Sequence, residues 1–133
     1  MRSRHTDTPV TAAAKSGFST ATAYRIEADG SLGFEMPYIT MRTPGPPGSG
    51  QIAKGDGMAS DVKNRYYVTS AEGLQMFDPT GRMGGVIAKP QNKPLVSVSF
   101  AGKDLSYLYV CCGDKVYRRK TKSKGVLFFM KKK

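Results

Sequence analysis

Between residues 55 and 79, GDGMASDVKNRYYVTSAEGLQMFDP, short apolar runs alternate with clusters of turn-forming residues. Aromatic and β-branched residues bounded by Gly, Asn, Asp and Pro predict short antiparallel strands. Residues 58–61 read as one strand, 65–70 as a second, carrying Tyr66, Tyr67, Val68 and Thr69, and 74–78 as a third. Ala71-Glu72-Gly73 predicts a hairpin turn and Asp78-Pro79-Thr80-Gly81 a type I turn. Residues 86–88 supply a fourth strand. Four hairpinned strands in about 35 residues describe one blade of a β-propeller.

The pattern then repeats. Residues 98–101 correspond to 58–61, 108–112 to the second strand and 116–120 to the third. Val68 and Val110 stand 42 residues apart, as do Leu74 and Val116. Upstream the offset is 40 or 42, depending on where a two-residue insertion near Gly102-Lys103 falls. A period of about 40 residues with strand and turn signals inside it is the mark of a propeller or a repeat array.

On the N-terminal side, residues 20–28 alternate Thr22, Tyr24 and Ile26 against Ala23, Arg25 and Glu27, as a half-buried strand does. Asp29-Gly30 signals a hairpin, and residues 32–40 return as the partner strand. The pair reads as half of an earlier blade. Residues 1–17 show no periodicity and are expected to be a disordered tail, although their basic, acid-poor composition loosely resembles a transit peptide. The Pro/Gly stretch 43–50 reads as a connector between blades, with a lid as the alternative. Residues 120–133 form a basic tail holding a short apolar strand, 125–130, flanked by lysines.

A chain of 133 residues makes one domain, expected here at residues 18–119. Its net charge of +11 is concentrated at the C-terminal end, where residues 114–133 hold nine Lys or Arg and one acidic residue. Such a tail attracts anions, but no stacking aromatics interleave Lys120, Lys122 and Lys124, so nucleic-acid binding is not expected. No stretch approaches the roughly 18 apolar residues that a membrane span needs. Cys111 and Cys112 are adjacent and on a strand would face opposite ways. They read as reduced thiols in a cytoplasmic protein, with a vicinal disulfide as the alternative. The only histidine, His5, lies in the N-terminal tail, which argues against a His-dependent mechanism.

Asp56-Gly57-Met58-Ala59-x-Asp61, Tyr67-Val68-Thr69, Gly73-Leu74, Phe77-Asp78-Pro79-x-Gly81 and Ile87 resemble the penultimate blade of the regucalcin–gluconolactonase family. Val98-Ser99-Phe100-Ala101-Gly102, Leu108-Tyr109-Val110 and Val116-Tyr117-Arg118 resemble its last blade. The resemblance implies an all-β, antiparallel β-propeller fragment, about two and a half blades of a six-bladed propeller. It further implies a calcium-dependent hydrolase that opens a sugar lactone. At about 42 residues per blade, six blades need nearly twice this length.

Asp56 is the candidate site residue. Its counterpart one repeat later is Val96 or Val98, so the local turn does not itself demand a carboxylate. By resemblance Asp56 is both a metal ligand and the residue that activates the attacking water, beside a cation that polarises the carbonyl. Asp61 and Asp78 lie at strand ends beside turns and read as caps. The glutamate and asparagine that complete the calcium site in the family have no counterpart: Glu27 and Glu35 lie in the wrong context, and Asn64 and Asn92 in turns. Only Asp56 carries over. The expectation is therefore a gluconolactonase-like fragment with an incomplete site, inactive alone, binding calcium weakly or not at all. Uncovered faces near Tyr24, Ile26, Tyr107, Tyr109 and residues 126–129 predict self-association. The alternative is a non-enzymatic binding or assembly module that uses open strand edges and the basic tail.

Overall fold

The computed structural model describes residues 10–14 and 19–127. Among these residues ten strands form three antiparallel sheets, and there is no helix. The first sheet holds β1 (Val10–Ala14), β2 (Thr20–Ile26) and β3 (Leu32–Thr40) in chain order. Asp29 closes the β2–β3 hairpin by accepting from Ser31 N–H at 2.9 Å and Ser31 Oγ at 2.6 Å. β1 corrects the expectation of a disordered stretch at 1–17. It pairs with β2 from Val10 opposite Arg25 to Ala14 opposite Ala21. VTAAA carries no alternation to read, but backbone pairing along an existing edge needs none.

The middle sheet runs β4 (Met58–Ser60), β5 (Tyr66–Ser70), β6 (Gly73–Phe77) and β7 (Met83–Ile87), each bonded to the next. The last sheet contains β8 (Leu95–Ala101), β9 (Tyr107–Cys112) and β10 (Lys115–Lys120), with β9 central. Their registers settle the repeat. Val68 lies opposite Met58 and Gln75, whereas Val110 lies opposite Val98 and Tyr117. The offset is thus 40 in the first strand and 42 in the other two. The two extra residues belong to the β8–β9 turn, and the counterpart of Asp56 is Val96.

Two apolar layers hold the sheets together, and the middle sheet contributes to both. Toward the first sheet, Val68 and Phe77 pack with Ala21, Ile39, Met41 and Ala53. Toward the last, Tyr67 and Leu74 pack with Leu95, Val98, Phe100, Leu108 and Cys112. Strand alternation sends Tyr66 and Val68 one way and Tyr67 the other. Two edge-to-face aromatic pairs mark the layers, Tyr38 on Tyr66 at 5.7 Å and Tyr67 on Phe100 at 5.2 Å.

After β10 the chain does not leave the molecule. Residues 121–127 cross the β8–β9 and β4–β5 turns: Thr121 N–H donates to Ser106 O at 2.8 Å, Gly125 N–H to Leu105 O at 2.8 Å, and Val62 N–H to Lys124 O at 2.9 Å. The expected basic tail is therefore anchored as far as Leu127, and residues 128–133, with the rest of the apolar run, lie outside the described residues. Both cysteines are free. Cys112 is fully buried and Cys111 half-buried, as alternation along β9 predicts.

Candidate functional site

Asp56 reaches its position through the backbone on either side of it. Ala71 N–H donates to Ala53 O at 2.7 Å, Gly57 N–H to Thr69 Oγ1 at 2.8 Å and Thr69 N–H to Gly57 O at 2.9 Å. The lead-in to β4 is thereby pinned along the end of β5. Gly57 also lets it touch the last sheet: a Cβ there would stand 2.8 Å from Ser97 Cα and 2.9 Å from Val96 O. The Asp56 side chain is exposed on a cleft of about 520 Å³ where the middle and last sheets meet. Val96, its repeat counterpart, lines the same cleft at 43% exposure.

The remaining walls come from three places. The segment before Asp56 contributes Ile52 and Lys54, the β5–β6 hairpin Ala71, and the connection from β7 to β8 Lys89, Asn92 and Lys93. That connection is tied to the β9–β10 hairpin. Gln91 Nε2 donates to Cys112 O at 2.7 Å, Gly113 N–H to Pro94 O at 2.9 Å and Lys93 Nζ to Asp114 Oδ1 at 2.9 Å. The bond from Lys93, helped by one from Gln91, holds the Asp114 carboxyl below the usual carboxylate range. The 43–50 loop lines none of this cleft, which suits a connector rather than a lid.

The other carboxylates named from the sequence are occupied elsewhere. Asp61 is buried, and Oδ1 accepts from the backbone of Lys63 and Arg65 while Oδ2 accepts from Arg65 Nε, Tyr67 OH and Ser123 Oγ. Asp78 caps its turn through Thr80 and Arg82, and its carboxyl lies below the usual range chiefly because of the Thr80 hydroxyl. Both are caps, as expected. Glu27 pairs with Arg25 at 2.8 Å, and neither Glu27 nor Glu35 borders the cleft. Asn64 sits in the β4–β5 turn at φ +57. Asn92, read as a turn residue, lies in the β7–β8 connection and lines the same cleft as Asp56, which sequence reading missed because a connecting loop carries no sign of what it faces.

Calcium takes six to eight oxygen ligands. Asp56 is the one carboxylate on the cleft, Ser70 Oγ is already bonded to Gly73 O and Gln75 Nε2, and three lysines face the same space. Among the described residues no group of three or more His, Cys, Asp or Glu could hold a metal. These donors do not fit a calcium ion. What they offer is a carboxylate and an amide for hydroxyl groups, with ammonium groups beside them.

No protein-family model matches the sequence, and no curated protein matches it in sequence. Solved structures do. A protein assigned as a gluconolactonase superposes with a TM-score of 0.71 at 19% identity, over 89% of this chain and 36% of its own. A luciferin-regenerating enzyme matches with a TM-score of 0.69 at 21% identity, over 86% of this chain and 42% of its own. A gluconolactonase from Xanthomonas campestris matches with a TM-score of 0.60 at 19% identity, over 74% of this chain and 29% of its own. The chain spans less than half the length of each. The Asp56 to Ile87 motif thus pointed to the right neighbours: in fold, this chain is similar to part of a gluconolactonase and of the luciferin-regenerating enzyme.

Proposed function

We propose that this chain forms about two and a half blades of a gluconolactonase-like propeller, supplies Asp56 to a sugar-lactone site, and does not hydrolyse lactone alone. The observation that carries this reading is the state of Asp56. Asp61 and Asp78 are committed to caps, while Asp56 stands exposed on a sugar-sized cleft at the lead-in to an inner strand. There a carboxylate can accept a substrate hydroxyl or orient and deprotonate a water aimed at the lactone carbonyl. The same cleft supports the expectation that the chain alone is inactive, because one carboxylate among lysines is not a calcium site. Affinity for calcium no tighter than about millimolar is expected. The free thiols suit a cytoplasmic protein.

The test uses the purified chain. Titrated at constant pH with glucono-1,5-lactone, with and without calcium chloride, it should consume base no faster than buffer. Calorimetry should show no tight calcium uptake. Micromolar calcium binding that disappears in Asp56→Ala would overturn this reading. A second reading, an assembly module, is favoured by β3, where Leu32, Phe34 and Met36 are 56%, 70% and 56% exposed.

A further inference from the structure

The cleft holds more positive charge than a neutral lactone requires. Lys54, Lys89 and Lys93 line it against the single carboxylate of Asp56. Lys93 is paired with Asp114, but among the described residues neither Lys54 nor Lys89 makes an ion pair. Lys54 is also held in place. Its backbone adopts φ +54, a left-handed conformation rare for a long side chain. It follows the buried Ala53, whose N–H donates to Ser19 Oγ at 3.2 Å and whose carbonyl accepts from Ala71 N–H at 2.7 Å. Strained backbone that its surroundings over-determine gathers at binding sites. Lys89 stands at the start of the connection that Gln91, Lys93 and Cys112 tie to the last sheet. These cations differ from those of the C-terminal segment in lining a cleft beside hydroxyl-binding groups.

We propose that the ligand of this cleft is an anionic sugar derivative, a polyol that carries a phosphate or carboxylate group besides the reacting centre. The anionic group lies against Lys54 and Lys89, the hydroxyls against Asp56 and Asn92, and a carbon face against Ile52 and Val96. The proposal rests on reading the cleft as the sugar site, and it replaces the neutral substrate class with a charged one.

Four probes separate the possibilities in amide-shift titrations of the labelled chain: D-glucitol, D-glucuronate, whose carboxylate lies at C6 away from the lactone carbon, D-glucitol 6-phosphate and inorganic phosphate. At least one of the two charged polyols should bind ten times more tightly than glucitol and than inorganic phosphate, and whichever does so identifies the anionic group. Lys54→Asn, which keeps a residue tolerant of the left-handed backbone, and Lys89→Gln should each weaken that ligand by about threefold, the scale of a partly exposed ion pair. Neither should alter glucitol binding. Raising salt on the unmodified chain should weaken the charged polyols and spare glucitol, a readout that needs no variant. Glucitol binding as tightly as the charged polyols, inorganic phosphate matching them, or no saturable binding at all would each overturn the proposal. Saturable binding of glucono-1,5-lactone as tight as that of the charged polyols would sink this proposal and not the reading of the cleft as a sugar site. Charge-selective binding with Asp56→Asn indifferent to the polyol would sink the Asp56 role and not this one.

Discussion

Asp61 accepts five hydrogen bonds through a fully buried side chain, and these join three parts of the chain. Lys63 and Arg65 close the β4–β5 turn on it, Tyr67 reaches it from the core, and Ser123 ties down the segment after β10. Burial alone would raise its carboxyl, but the bonds from Ser123, Arg65 and Tyr67 outweigh that and hold it below the usual carboxylate range. Because the ionised form is favoured in the fold, Asp61 stabilises the protein above its ordinary titration range. That contribution is lost as pH falls below about 4. Urea unfolding at a series of pH values should show stability dropping there, and the drop should be smaller in Asp61→Asn. At neutral pH the same substitution should cost about 3 kcal/mol, since it leaves Arg65 and Tyr67 without their acceptor. A loss below about 0.5 kcal/mol, the range of ordinary surface changes, would contradict this account.

At the scale of elements, the cleft depends on how closely the β4 lead-in and β8 approach. Gly57 permits that approach, with β8 backbone atoms 2.8 and 2.9 Å from where its Cβ would be. Neither neighbour is the end of a flexible side chain, so one of the two strands has to move. Gly57→Ala is expected to cost about 1–3 kcal/mol, the usual range for overpacking. Amide shifts should change at Val96, Ser97 and Val98 as well as at Asp56. Changes confined to residues next to 57 would show that the strands are not in contact. Within the middle sheet, Gly73 at the start of β6 is similarly confined, since a Cβ there would stand 2.4 Å from Ile87 O of β7.

At the scale of the whole molecule, three sheets bury two apolar layers, and among the described residues several large apolar side chains stay exposed. Tyr24, Ile26, Tyr107 and Tyr109 are half-buried, whereas Leu32, Phe34 and Met36 of β3 are exposed, with Arg25 stacked 3.7 Å from the Phe34 ring. Val126 of the expected patch is exposed, and Phe129 lies outside the described residues. Burial of these exposed side chains favours association, opposed by the entropy of bringing two chains together. Light scattering at high protein concentration is expected to show species larger than the monomer, shifted toward monomer by Phe34→Glu with Met36→Lys. A monomer at every concentration would refute it.

Much of this molecule follows from local chemistry. Tyr66 to Ser70, the Asp29-Gly30 hairpin and the Asp78 turn were legible because strand preference and turn geometry act over a few residues. The repeat was legible because strand and turn chemistry recur in the same order, so Val68 and Val110 hold equivalent places in their sheets. Asp56 stood out because its repeat counterpart is a valine. Other features depend on residues far apart in sequence, and only the tertiary structure decided them. The place of the two-residue insertion required cross-strand pairing, since two registers satisfy the same apolar pattern. β1 formed from an unpatterned stretch because β2 offered it an edge. The anchoring of residues 121–127 joins distant positions, with Ser123 meeting Asp61, 62 positions away. The cationic character of the cleft appeared only when the 89–94 connection and Asp56 came to line one space, because composition counts lysines and cannot say which of them share it.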